Sequence, residues 1–132
     1  MTIVLDSWAV LRLLEGHEPT ASRVQELLDA EAPVMSWINL GEVFYVVSRD
    51  QGRVEAEHVL RDLRPLLRLD LPTERRVLEA ARIKADHPLA YADAFAAATA
   101  LAHDAALWTG DRELLLDDAP WRYEDLRDAS RR

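Results

Sequence analysis

Four acidic residues, Asp6, Glu42, Asp93 and Asp111, are the side chains here whose type and placement can do chemistry together. Clustered carboxylates repel one another and would repel a phosphodiester. A hard divalent cation such as Mg²⁺ or Mn²⁺ reverses both effects, because such ions prefer oxygen ligands and share them between carboxylates, water and substrate phosphate. An ion held in this way lowers the pKa of a bound water, polarises a phosphoryl oxygen and steadies the leaving group. Each acid also has a plainer reading. Asp6 and Asp111 are good N-caps for the segments after them, and Asp93 near a helix start is favoured by the macrodipole. Glu42 fits least well as an ordinary surface residue. Leu40, Val43 and Phe44 around it point to a largely buried segment, where an unpaired carboxylate is costly.

The elements that must position these acids alternate between strand and helix. Ile3-Val4-Leu5 is a short apolar strand of the kind buried on both faces of a parallel sheet, and Asp6 closes it. A helix follows from about Ser7, with Trp8, Leu11, Leu13 and Leu14 as its apolar positions, and another runs from about Thr20 to Ala30. Pro33 to Ser36 reads as a second strand. From about Ile38 the residues Leu40, Val43, Phe44 and Val47 recur with helical spacing, and Gly52 lies just past the end. Asn39 and Glu42, three apart, share a face of that helix. A helix over about Val54 to Leu63 stops before Pro65, and Leu66 to Leu71 is predicted as a third strand. Thr73 is placed to cap a helix carrying Val77, Leu78 and Ala81. Pro88 breaks the chain, and Ala90 to His103 forms an alanine-rich helix with Asp93 in its first turn. Ala106 to Thr109 is a fourth strand, leading through Gly110 to Asp111. Such alternation predicts a parallel sheet covered by helices on both faces. Ligands of open sheets bind beyond the carboxyl ends of the strands, where Asp6 and Asp111 fall.

Composition bounds the rest. A chain of 132 residues is about one domain, and it contains no repeat, low-complexity tract or Gly/Pro-rich linker. Without cysteine there are no disulfides, thiolate metal sites or cysteine nucleophiles. The start carries no basic n-region and no apolar stretch is long enough to span a bilayer, so a soluble cytoplasmic protein is expected. The net charge of −8 is unusual for a protein that handles nucleic acid, but it is unevenly spread. Residues 49–84 hold 9 basic and 7 acidic side chains, whereas the flanking segments each sum to −5. The basic residues of this middle, among them Arg61, Arg64 and Arg68, could serve a polyanion; a solvated helix face of alternating charge is the simpler account of them.

Other chemistries lack their parts. His17, His58, His87 and His103 form no pair at metal-ligand spacing and read as surface or helix-end residues. Ser7, Ser22, Ser36, Ser48 and Ser130 have no nucleophile-elbow context, and no glycine-rich phosphate loop exists. A haloacid-dehalogenase-type phosphatase needs a second aspartate where Trp8 stands. A receiver domain needs paired acids near the first strand and a lysine after the last, but the sole lysine is Lys84. Trp8, Trp37, Trp108 and Trp121 read as core, with Trp37 and Trp121 the candidates for partial exposure at an interface.

Taken together, the pieces Val4-Leu5-Asp6-Ser7, Asn39-Leu40-Gly41-Glu42, Tyr91-Ala92-Asp93-Ala94 through Ala100, and Trp108-Thr109-Gly110-Asp111 resemble the PIN-domain family. Within it they are most similar to the VapC-type toxins of bacterial toxin–antitoxin pairs. The resemblance spans nearly the whole chain, and Trp108, bulkier than the expected aliphatic residue, is its one minor departure. It implies a single PIN domain over residues 1–132, a three-layer α/β/α fold around a mainly parallel sheet of four or five strands. It further implies an Mg²⁺-dependent endoribonuclease, with Mn²⁺ as a substitute, that hydrolyses RNA with a metal-activated water. Asp6, Glu42 and Asp93 would be the main acidic ligands, directly or through water, and Asp111 would complete the pocket. Ser7, Asn39 and Thr109 match positions whose hydroxyl or amide orients the acids or a water. The resemblance also brings a homodimer and a cognate VapB-type antitoxin, whose C-terminal segment would enter the groove beside the acids. A PIN nuclease of RNA maturation or decay, or a non-catalytic PIN binding module, are the alternatives; the presence of all four acids favours catalysis.

Overall fold

The computed structural model describes residues 1–127, so Ser130 lies outside the described residues. Its strands are β1 (Ile3–Leu5), β2 (Val34–Ser36), β3 (Arg68–Asp70), β4 (Ala106–Thr109) and β5 (Arg122–Asp125). Its helices are α1 (Ser7–Leu14), α2 (Thr20–Ala30), α3 (Trp37–Gln51), α4 (Arg53–Leu63), α5 (Glu74–Asp86) and α6 (Tyr91–Ala102), with 3-10 turns at Arg64–Leu66 and Arg112–Leu114. All strand pairings are parallel, in the order β3-β2-β1-β4-β5. The chain therefore lays down β1, β2 and β3 in one direction and then returns to the other side of β1 for β4 and β5. That reversal makes the β1/β4 boundary the switch point of the sheet.

Alternation along the strands divides the core into two layers. Val4, Val34 and Leu107 point to the side covered by α5 and α6, where Phe95, Ile83 and Leu89 pack on them. Leu5, Met35 and Trp108 point to the other side, with Val10, Val24, Leu40, Val43 and Ala56 from α1 to α4. The result is the expected α/β/α arrangement. Helix α6 is buried on almost every side, from Asp93 to Ala100. Its alanines, with no side chain beyond Cβ, let the helix lie close against the sheet and against α3 and α5.

Two strands differ from the expectation. The third is shorter, because Pro65 closes a 3-10 turn over Arg64–Leu66 and Leu66 stays partly exposed, leaving Arg68–Asp70 to pair with β2. The fifth, Arg122-Tyr123-Glu124-Asp125, carries no apolar run. It is an edge strand in which Arg122 and Glu124 face outward while Tyr123 packs on the core, a charged pattern that discourages further pairing. Among the described residues, no helix is long and apolar enough to cross a membrane.

Candidate metal centre at the carboxyl ends of β1 and β4

Asp6 and Asp111 flank the switch point, one residue past β1 and two past β4. Both do cap the segments that follow them. Asp6 Oδ1 accepts from Ala9 N at 2.9 Å, and Asp111 Oδ1 accepts from Glu113 N at 3.0 Å. Each cap engages only one oxygen of its carboxylate. The second Asp6 oxygen accepts from the Thr109 hydroxyl, and that hydroxyl in turn accepts from Asp111 N at 3.0 Å. Thr109 thus ties the two acids together across the β1/β4 boundary.

Helices α3 and α6 bring the other two acids. Glu42, one turn into α3, is half-buried rather than enclosed, and the Ser7 hydroxyl donates to it. The expected cost of an unpaired buried glutamate is therefore avoided, because the side chain opens onto a cleft. Asp93, in the first turn of α6, is buried and has no capping bond of its own. Asn39, fully enclosed on α3, donates through Nδ2 to the Ala92 carbonyl at 3.0 Å, which fixes the start of α6 next to Asp93. Its Oδ1 finds no hydrogen-bond partner among the described residues.

One acid was not foreseen. Glu113 lies two residues beyond Asp111 in the 3-10 turn, and its Oε1 accepts from Ala90 N at 3.3 Å, holding the entry to α6. Asp93, Asp111 and Glu113 each offer a carboxylate oxygen within 4.8 Å of the others. The acidic residue two positions after Asp111 was visible in the sequence, but nothing there indicated that the turn folds it back toward Asp93. The cleft is about 280 Å³ and is lined by Glu42, Asp93, Asp111 and Glu113 together with Ser7, Trp8, Leu11, Val46 and Ala90. Asp6 does not line it; it lies buried beside the cleft, within electrostatic reach of Asp111 and Glu42.

Crowding of like charges leaves its mark on protonation. Burial raises the Asp6 carboxyl from 3.8 to about 7; bonds from Thr109 and Ala9 oppose this, and the charges of Asp111 and Glu42 add to it. Asp93 rises to about 8, through burial first and then the neighbouring Asp111 charge, a hydrogen bond shared with Glu113, and Asp6. Among the described residues, no lysine, arginine or histidine lines the cleft. A partly buried all-oxygen donor set without a counter-charge is the setting that a hard cation fits.

The remaining sequence candidates fall elsewhere. The basic middle contributes no residue to the cleft. Arg49 pairs with Asp50 and Arg61 with Asp62 at the surface, and Arg76 joins Asp70 and Glu79. His87 and His103 sit at helix ends, as expected. Trp121 is buried, not exposed at an interface, and donates Nε1 to the Leu114 carbonyl at 3.0 Å. Trp37 is half-buried beneath Arg64. Trp108 packs in the α1–α4 layer with Arg23 over its ring at 5.1 Å, which accommodates its bulk.

The fold has many relatives of known structure. VapBC-1 from nontypeable Haemophilus influenzae is 22% identical, with a TM-score of 0.74 over 97% of this chain and 100% of that one. VapBC2 from Rickettsia felis, bound to a DNA fragment from its promoter, is 17% identical with a TM-score of 0.74 over 95% and 98%. Mycobacterium tuberculosis VapC20, described as a sarcin-ricin loop cleaving toxin, is 16% identical with a TM-score of 0.69 over 83% and 90%. None of the curated proteins compared with the chain matches it. At these identities the structural likeness establishes the fold, and family membership rests on the sequence profile of the PIN domain, which matches residues 3–120. The chain belongs to the PIN-domain family.

Proposed function

We propose that this chain is a metal-dependent endoribonuclease, the VapC-type toxin of a toxin–antitoxin pair, with the acidic cleft as its active site. The observation that carries the reading is the gathering of Asp93, Asp111 and Glu113 within 4.8 Å in a cleft that Glu42 also lines and that no basic side chain among the described residues lines. The donors are all oxygens, which suits Mg²⁺ or Mn²⁺. Asp93, Asp111 and Glu113 would hold the ion, with Asp6 and Glu42 contributing directly or through water. When bound, it would supply an acidified water and charge stabilisation at the phosphoryl group.

The chain's own residues arrange that chemistry. Thr109 holds Asp6 and the backbone of Asp111 in one register, Ser7 turns Glu42 toward the cleft, and Asn39 fixes the α6 start that carries Asp93. Asp6 and Asp93, raised by burial and repulsion, would give up protons as the ion enters, so occupancy should strengthen as pH rises. The structural neighbours described as VapBC complexes support a VapB-type antitoxin as partner. A basic antitoxin side chain entering the cleft would neutralise its carboxylates. The same reading brings a single PIN domain that works in the cytoplasm as a homodimer on an RNA substrate.

Cleavage of RNA by the purified protein with Mg²⁺ or Mn²⁺ tests this. Activity should vanish with EDTA and fall by about 100-fold or more in Asp6→Asn and Asp93→Asn, as expected when charge stabilisation at the reacting centre is lost. Cleavage that persists under both treatments would refute the mechanism.

A further inference from the structure

Of the three charged residues that follow Gly110, only Arg112 takes no part in the acidic cluster. It stands between Asp111 and Glu113, both of which line the cleft. Their carboxylates are engaged by the backbone, through the bonds from Glu113 N and Ala90 N. In a 3-10 turn successive side chains leave the axis about 120° apart. Arg112 therefore projects away from the two acids. It is exposed, and its side chain has no ion pair or hydrogen bond among the described residues. A guanidinium that has acids on both sides in the chain, and pairs with neither, is free to meet an outside anion.

The other cations are engaged or lie elsewhere. Among the described arginines only Arg12 and Arg112 adjoin a cleft-lining residue in the chain. Arg12 is already committed, lying over the Trp8 ring at 4.6 Å and pairing with Glu15 at 3.0 Å. Arg49, Arg61 and Arg76 are paired with acids, and Arg68 donates to the Ala32 carbonyl. Arg75 and Arg82 line a separate depression with Glu74 and Leu78, none of which lines the cleft. An RNA strand carries a negative charge at every linkage. The phosphates beside the scissile one would therefore meet an acidic surface unless a cation stands next to it.

We propose that Arg112 binds a backbone phosphate of the RNA next to the one that is cut, and so anchors the strand across the acidic cleft. The proposal rests on the ribonuclease reading above. A planar guanidinium matches phosphate oxygens in a two-point, charge-assisted contact. Because its own turn carries Asp111 and Glu113, this anchor is fixed relative to the residues that would hold the ion. It meets phosphate and not base, so it adds affinity without sequence preference.

Short unstructured oligoribonucleotides cleaved in Mn²⁺, with kcat/KM measured over a range of salt concentrations, test this. Arg112→Ala should lower kcat/KM by about 10-fold at low salt, alike for RNAs of different sequence. The dependence of log kcat/KM on log salt should become shallower by about 0.7, the share of one phosphate contact on a single strand. Arg112→Lys should recover part of both. A single methylphosphonate, which removes the charge of one linkage, should reproduce the loss in the wild type at one position flanking the cut. At that position Arg112→Ala should show no further loss. Arg82→Ala, which removes the same charge at the separate depression, should cleave as the wild type does. Mn²⁺ affinity measured by calorimetry without RNA should not fall in Arg112→Ala, since a neighbouring positive charge is removed. A loss of cleavage matched by weaker Mn²⁺ binding would make Arg112 part of the framework of the metal site and overturn the proposal. So would unchanged cleavage, equal losses in Arg112→Ala and Arg82→Ala, or methylphosphonate effects that are the same in wild type and Arg112→Ala. Absence of metal-dependent cleavage by the wild type would refute the ribonuclease reading itself, and this proposal with it.

Discussion

The metal-free protein should become less stable as the pH rises from 5 to 7, and the carboxylates of the site set the size of the change. Asp6 and Asp93 have folded values of about 7 and about 8 against an ordinary 3.8. Between these limits the folded protein keeps protons that the unfolded chain has released. Stability then falls with pH, by up to about 1.4 kcal/mol per pH unit for each retained proton. Over two pH units that is about 3 kcal/mol for one proton and about 5 kcal/mol for two, a large share of the ~5–15 kcal/mol typical of a domain. Because the two acids repel each other, the result should lie between those figures. Urea unfolding followed by circular dichroism in EDTA, at half-unit pH steps, measures the slope. Asp93→Asn should lower the slope by about one proton and be more stable than wild type at pH 7 despite losing activity. Saturating Mn²⁺ should stabilise the wild type more at pH 7 than at pH 5, since binding must displace protons at the lower pH. Stability in EDTA that stays level or rises over this range would refute the picture of protonated, mutually repelling acids. So would an Asp93→Asn slope equal to that of the wild type.

Two substitutions outside the carboxylates test how the site is held. Gly110→Ala puts a methyl group against the Trp8 ring, so the ring or the turn must move. It should cost about 1–3 kcal/mol in urea unfolding, and Mn²⁺ affinity measured by calorimetry should fall because Asp111 is the next residue. Asn39→Ala removes the bond to the Ala92 carbonyl. It should destabilise by about 1–3 kcal/mol and weaken Mn²⁺ binding while leaving the helical circular dichroism intact; unchanged affinity would show that Asn39 does not position Asp93.

Most of the architecture could be read in the chain because its determinants are local. The short apolar strands, the spacing of Leu40, Val43 and Val47, and the caps at Asp6 and Thr73 each act within a few residues. The same locality explains what was missed. Strand β5 is an edge strand whose own residues are mostly charged, so its extended form comes from pairing with β4 and no apolar run announces it. Glu113 joins the cluster only because a 3-10 turn folds it toward the start of α6, a contact spanning 23 positions. Trp8 has the spacing of a core residue, and only the packing of Gly110 against its ring sets it at the wall of the cleft.

The structural and functional readings of the acids, opposed in the sequence, turn out to support each other. Asp6 is an N-cap, and the bond from Ala9 N stops its carboxylate from rotating away from β4. Asp111 is a cap too, and the turn it caps is the one that delivers Glu113. Glu113 in turn accepts from Ala90 N and holds the first turn of α6, from which Asp93 projects. Asp6, Asp111 and Glu113 are each oriented by a backbone N–H group that a short turn or helix start would otherwise leave without a partner. Those bonds recover part of the cost of placing acids side by side, and their geometry fixes where the acids point. A substitution that kept the charge but lost the cap, such as Asp111→Glu, should therefore weaken Mn²⁺ binding through misplacement of Glu113 as well as of residue 111. A double-mutant cycle with Glu113→Gln measures this: the two losses should be strongly non-additive, and independent losses would mean that capping and ion binding are separate roles.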